Sequence, residues 1–252
     1  MQECDHFSDF FEPALRIMGY DGLFCPKTNS PCLRYGYFSD GVAIFWKKSL
    51  FLPLFDNVEA KPSGAPRVAY VGVRLLHKPT DETIFVATCH LKAKKGADME
   101  LIRHAQVDHI LSMIDLATAP SGPSECPVIL LGDFNTSPRY HCSDDLSYST
   151  VIPHMQQWNS GYFISAYPFE SDRDSRETTT RTYSTWKSRG GVEAKQLIDY
   201  IWFSKLHFEL QWILDVPDIS ELKSSVSKLP DMRYPSDHFA LCAQVSLLAA
   251  KI

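Results

Sequence analysis

The stretch that most constrains this chain is Val128-Ile129-Leu130-Leu131-Gly132-Asp133-Phe134-Asn135-Thr136-Ser137-Pro138. Four consecutive large apolar residues predict a strand buried on both faces, and Gly132 lets the backbone turn where that strand ends. Residues i and i+2 of an extended chain point the same way. Asp133 and Asn135 are therefore expected to face one pocket while Phe134 packs inward, and Pro138 stops any further ladder. An acid that can bind a metal or take a proton, beside an amide that can donate to an oxyanion, suits phosphate hydrolysis. An acidic turn after a strand has the same four letters, so the choice between the two rests on other segments.

The 252 residues suffice for one large α/β domain, and residues 1–252 read as a single unit. A net charge of -5 argues against a broad cationic surface for long nucleic acid, so any cationic site must be local. The seven cysteines are scattered, odd in number and lack a Cys-x-x-Cys pair, which suggests neither a disulfide framework nor a structural zinc site and fits a reducing compartment. No run approaches eighteen apolar residues, and no signal or transit pattern follows Met1. The expected compartment is the cytoplasm or the mitochondrion, with any presequence lying upstream of Met1.

Phe7, Phe10, Phe11, Ala14, Leu15 and Met18 follow the helical period up to Gly19. Tyr20 to Phe24 and Val42 to Trp46 read as strands on either side of a loop, Cys25 to Cys32, whose one cation is Lys27. Pro53, Pro62, Gly64 and Pro66 predict a loop-rich excursion, and Val68 to Leu76 with Thr83 to Cys89 predict a hairpin. His90, Lys92, Lys94 and Lys95 then follow a strand end, where α/β sheets bind ligands. Asp98 is the expected cap of a helix whose buried stripe is Val107, Ile110, Leu111 and Ile114. His104 and His109, five apart, fit no metal-ligand spacing and read as surface residues. Ala117 to Pro127 reads as linker, Tyr140 to Trp158 as helix and loops, and Ser171 to Thr182 as a mobile insertion. Asp199 stands in the apolar run Leu197 to Phe203, which is costly without a partner, and His238 in Ser236-Asp237-His238 is the candidate.

In order, Gln2-Glu3, Gly132-Asp133-Phe134-Asn135, Asp199-Tyr200-Ile201 and Ser236-Asp237-His238 resemble the ordered signature of the endonuclease/exonuclease/phosphatase superfamily. Pro26-Lys27, Ser30-Pro31-Cys32-Leu33, Asp40-Gly41, His90-Leu91-Lys92-Ala93 and Thr185-Trp186-Lys187-Ser188-Arg189 resemble its nocturnin and poly(A) deadenylase branch. The resemblance implies a two-sheet α/β sandwich using Mg²⁺. It makes Glu3 and Asp237 the metal carboxylates, has Asp133 orient or deprotonate water, and gives the phosphoryl oxygens to Asn135 and His90. It also has Asp199 hold His238 against the charge on phosphorus, with Lys27, Lys92, Lys94 and Arg189 lining the substrate cleft. Lys94 stands where arginine is more usual in the family. Superfamily members carry a strand, a helix and most of a second strand ahead of Gln-Glu. The expected fold is therefore a sandwich lacking those elements, and the 252 residues by themselves are expected to be unstable or inactive.

The function implied is removal of the 2′-phosphate of NADP⁺ and NADPH. A second reading is 3′-exonucleolytic shortening of poly(A) RNA, for which Trp186 is the candidate stacking platform. A third is a catalytically silent scaffold for RNA or a protein. No membrane partner is expected.

Overall fold

The computed structural model describes residues 1–54, 67–119, 126–138, 150–160, 162–167, 183–189, 192–217 and 229–248. A π-helical turn, Phe7–Phe11, leads into α1 (Glu12–Ile17), followed by β1 (Tyr20–Pro26), β2 (Gly41–Lys47), β3 (Phe51–Leu54), β4 (Ala69–His77) and β5 (Glu82–His90). Next come α2 (Ala97–Thr118), β6 (Val128–Asp133), α3 (Val151–Gln157), β7 (Phe163–Ser165), β8 (Thr185–Arg189) and β9 (Val192–Gln196). The last elements are β10 (Asp199–Ser204), β11 (Phe208–Ile213) and β12 (Ala243–Leu247). Among the described residues the central sheet has six strands in the order β3-β4-β5-β6-β10-β7.

Strand alternation sends successive residues of this sheet into two cores. Phe85 and Ala87 of β5, Val128 and Leu130 of β6 and Tyr200 and Trp202 of β10 face the helix layer, where they meet Val107, Ile110, Leu111 and Ile114 of α2 and Val151, Ile152 and Met155 of α3. Their neighbours Ile84, Ile129, Leu131, Ile201 and Phe203 face the other way, against Ile44 and Trp46 of β2 and Phe208 of β11. This is the expected α/β sandwich, with the layer opposite the helices made of two antiparallel pairs, β1–β2 and β11–β12. Met1–Cys4 lies along β2 on the side away from β1, with paired backbone bonds of 2.9 Å between Met1 and Ala43 and 3.0 Å between Cys4 and Gly41.

Several local expectations need correction. Pro53 lies inside β3 rather than opening a loop, which its place at the edge of the sheet tolerates because no ladder donor is required there. The long helix begins one residue before Asp98, with Gly96 as N-cap and Asp98 in the first turn. Ala117 and Thr118 finish that helix instead of starting a linker. In the first helix only Phe7 is buried, stacked on Phe24, while Phe10 and Met18 are exposed: the segment touches the β1–β2 pair along one end. α3 supplies the helix expected in Tyr140 to Trp158. Residues 139–149 of that segment, the tract Ser171 to Thr182 and most of the excursion from Pro53 to Pro66 lie outside the described residues.

The helix layer is fastened to the loops above it by a buried ion pair. Arg103, fully buried, reaches Glu100 at 2.7 and 2.8 Å and donates from Nη1 to the carbonyls of Lys92 (2.9 Å) and Lys94 (2.8 Å). Glu100 accepts from Thr136 Oγ1 at 3.1 Å and from the Thr150 amide at 3.0 Å. Removing one partner leaves the other charge buried and alone, so Arg103→Met is expected to cost about 3–5 kcal/mol, read as a lower urea midpoint against the unaltered chain. An unchanged midpoint would show that the pair does not hold these loops.

Candidate active site

β5 and β6 run parallel with His90 opposite Asp133, and β6 and β10 run antiparallel with Asp133 opposite Asp199. Three polar residues far apart in the chain thus form one row across the end of the central sheet. The row is tight because Gly132 lets β6 close on β5: a Cβ there, at φ +149, would stand 2.2 Å from the Cys89 carbonyl oxygen.

Asp133 is held from several sides. Its Oδ1 accepts the Asn135 amide at 2.7 Å, its Oδ2 accepts Asn135 Nδ2 at 3.1 Å, and His90 Nε2 lies 3.4 Å from Oδ2. Asn135 Nδ2 also donates to the Leu91 carbonyl at 3.1 Å, which fixes the amide's orientation. Phe134, fully buried, donates its amide to Ile198 at 2.8 Å.

On the far side of the row, His238 Nδ1 stands 2.8 Å from Asp199 Oδ2. The turn carrying His238 is laced to β8, since Thr185 Oγ1 and the Trp186 amide donate to the Asp237 carbonyl at 2.8 and 3.1 Å. Ser184 Oγ accepts the amides of Ile198 and Asp199, both at 3.0 Å, tying that strand to β10.

A cavity of about 340 Å³ opens above the row. It is lined by the acids Glu3, Asp133 and Asp237, the imidazoles of His90 and His238, Asn135, and the cations Lys94, Lys95 and Lys187. Glu3, Lys94 and Asn135 all hold positive φ, at 52°, 87° and 50°. Such backbone costs of order 1–3 kcal/mol per residue, and Asp81 and Asn159, away from the cavity, share it.

Burial in this setting shifts the titrating groups. It pushes the Asp133 carboxyl up to about 7, with the charge of Asp199 adding to the effect. Burial pulls His90 down to about 4, helped by Lys27, so its contact with Asp133 is that of a neutral imidazole at neutral pH. Burial also works against the His238 imidazolium, but the hydrogen bond and charge of Asp199 outweigh it and leave His238 above its ordinary value.

Carboxylate oxygens from Glu3 and Asp237 share the cavity with Asp133, a hard donor set that suits a divalent cation. Asp133, Asp199 and His238 also bring ligand atoms within 4.8 Å of one another. His90 Nδ1 is buried with no hydrogen-bond partner among the described residues, a donor or acceptor left for a bound group.

The cations divide differently from expectation. Lys94 lines the cavity, whereas Lys27 Nζ is bound to Asp40 at 2.5 Å, and neither Lys27 nor Lys92 is a lining residue. Asp40 also accepts Ser30 Oγ, so the Lys27 loop is folded down onto a buried carboxylate. The backbone of Arg189 lies in β8, and its side chain is outside the described residues. Sequence reasoning passed over Lys187, whose Nζ lies 3.8 Å from Asp237 Oδ2. The signal was present: Trp186 is an apolar residue of a strand, its burial turns Lys187 to the other face, and that face looks into the cavity.

The family model described as the Endonuclease/Exonuclease/phosphatase family matches residues 1–238. The chain is similar to human nocturnin, 31% identical over 251 residues that make up 98% of this chain and 53% of nocturnin. It is also similar to the CCR4-Not complex 3′-5′-exoribonuclease subunit Ccr4 of Candida glabrata, at 24% identity across 98% of this chain and 31% of the other. The chain spans about half the length of the curated nocturnin it matches. Among solved structures, the human nocturnin catalytic domain with bound sulfate anion superposes with a TM-score of 0.72 at 28% identity, covering 98% of this chain and 79% of that one. ANGEL2, a 2′,3′-cyclic phosphatase, shares the fold with a TM-score of 0.70 at 23% identity, covering 97% and 79%. The family model spans most of the sequence, and the chain belongs to the endonuclease/exonuclease/phosphatase family.

Proposed function

We propose that this protein is a Mg²⁺-dependent phosphohydrolase that removes the 2′-phosphate of NADP⁺ and NADPH. The observation that carries the reading is the single cavity in which Asp133 and His238 face Lys94, Lys95 and Lys187 on an otherwise acidic chain. A small ligand bearing a phosphomonoester and a diphosphate asks for such a compact cationic group, and similarity to nocturnin adds to it. Lys27, Lys92 and Arg189 would belong to a wider rim.

Glu3 and Asp237 would hold Mg²⁺, which keeps most of its waters and needs only one or two carboxylates. When bound, the ion would neutralise charge on the phosphoryl group. Asp133, with its pKa lifted towards neutrality, would orient and deprotonate the attacking water. Asn135 would exchange its Nδ2 bond to Asp133 for one to a phosphoryl oxygen, and the unpartnered nitrogen of His90 would hydrogen-bond another. His238, kept protonated and aimed by Asp199, would stabilise the charge that builds on phosphorus.

A second reading is 3′-exonucleolytic shortening of poly(A). The exposed Tyr35, Tyr37 and Phe38 favour it, as aromatic faces on which bases stack. Trp186 no longer does: it is 6% exposed and packed with Tyr183, Leu229 and Phe239.

The protein is expected to release inorganic phosphate from NADPH in Mg²⁺ and to stop when EDTA is added. Adenylate released from oligo(A), with no phosphate from NADPH, would reject the first reading in favour of the second. Asp199→Asn should lower kcat roughly 100-fold or more while leaving KM for NADPH within a few-fold, because it disturbs an acid–base group and no substrate contact. A change confined to KM would mean that Asp199 serves binding instead.

A further inference from the structure

His104 and Asp108 lie one turn apart on α2, and α3 brings His154 beside them. None of the three lines the cavity above the polar row. Reading His104 as a plain surface residue missed this, because its partner lies 50 positions further on and only the packing of α3 on α2 brings the two together. Asp108 sits between the imidazoles, with Oδ2 at 3.2 Å from His104 Nδ1 and Oδ1 at 2.7 Å from His154 Nε2. The two rings lie 4.4 Å apart at 32°.

Two features set this group apart from an ordinary surface ion pair. First, one carboxylate serves two imidazoles at once. Second, His154 Nε2 is shielded from solvent and makes no hydrogen bond, although a carboxylate oxygen is only 2.7 Å away. The nitrogen is close to the acid but not in line with it. Two imidazoles beside one carboxylate supply the donors of a metal-ligand set.

The ligand atoms of all three side chains lie within 4.8 Å of one another. Ligands about 2.0–2.2 Å from a tetrahedral zinc ion stand roughly 3.3 Å apart, so small rotations of these partly exposed side chains would bring the three donors onto one ion. Two imidazole nitrogens with one carboxylate oxygen suit zinc better than magnesium, which prefers oxygen alone. We propose that His104, Asp108 and His154 bind a zinc ion that clasps α3 to α2, with water completing the coordination.

The clasp would lie one turn beyond an existing one. Glu100, four residues before His104, accepts the amides of Thr150 and Val151, the former four residues before His154. Zinc would thus repeat, one turn along both helices, the tie that Glu100 makes. Through the Arg103 bonds to Lys92 and Lys94, a firmer helix layer also steadies the loop that carries Lys94 to the cavity.

The test is zinc content after dialysis against dilute zinc in excess Mg²⁺, which competes for the oxygen-rich cavity. It compares the unaltered chain with His104→Gln, His154→Gln, Asp108→Asn, His109→Gln and Glu3→Gln. His109 neighbours the cluster without joining it, and Glu3 reports zinc held in the cavity. Circular dichroism in metal-free buffer first checks that each variant folds like the parent; the cluster side chains are at least partly exposed, so these polar replacements should. The unaltered chain, His109→Gln and Glu3→Gln should retain zinc, and added zinc should raise their melting temperatures. His104→Gln, His154→Gln and Asp108→Asn should lose the ion and that rise. Equal zinc in all six proteins, loss in His109→Gln as well, or loss confined to Glu3→Gln would overturn the proposal.

Discussion

A carboxylate lodged between two strands at the end of a buried sheet is the constraint on which this structure turns. Asp133 lies opposite His90 on one neighbour and Asp199 on the other, and the backbone around it leaves little room. An isolated anion in such a place would be expelled or neutralised. This one persists because Asn135 donates to it twice and because His238 sits across Asp199. The same crowding raises its affinity for a proton, with the charge of Asp199 adding to the effect of burial.

The parts of the fold set by local pattern were open to a reader of the sequence. The apolar run at Val128 to Leu131 became a strand, and the stripe on the long helix turned inward as its period required. The acids and imidazoles at Glu3, His90, Asp133 and His238 do share one cavity. What stayed hidden depended on packing across long separations. That Lys27 is spent on Asp40 follows from how a loop folds back, and Lys187 becomes a cavity residue only once β8 is laid against the turn at Asp237. Pro53 looked like a breaker because composition does not tell which strand will be at an edge. Trp186 looked like a platform because composition does not tell which face of a hairpin is covered.

The helix layer does more than cover the sheet. Its buried pair at Glu100 and Arg103 takes backbone carbonyls from the loop after β5, a hydroxyl from the loop after β6 and amides from the start of α3. Three segments that surround the cavity or support it therefore share one polar anchor beneath them. The expense of burying those charges is met by the number of backbone groups they satisfy.

The row of His90, Asp133 and Asp199 also carries a lesson about assembly. Its members come from strands that are distant in sequence, joined by one parallel and one antiparallel pairing. Parallel pairing and long loop closures come late and slowly when a chain condenses. The row would therefore be complete only once the strands that carry it have paired. Shifting β10 by a single residue would turn Asp199 to the opposite face and dismantle the constellation.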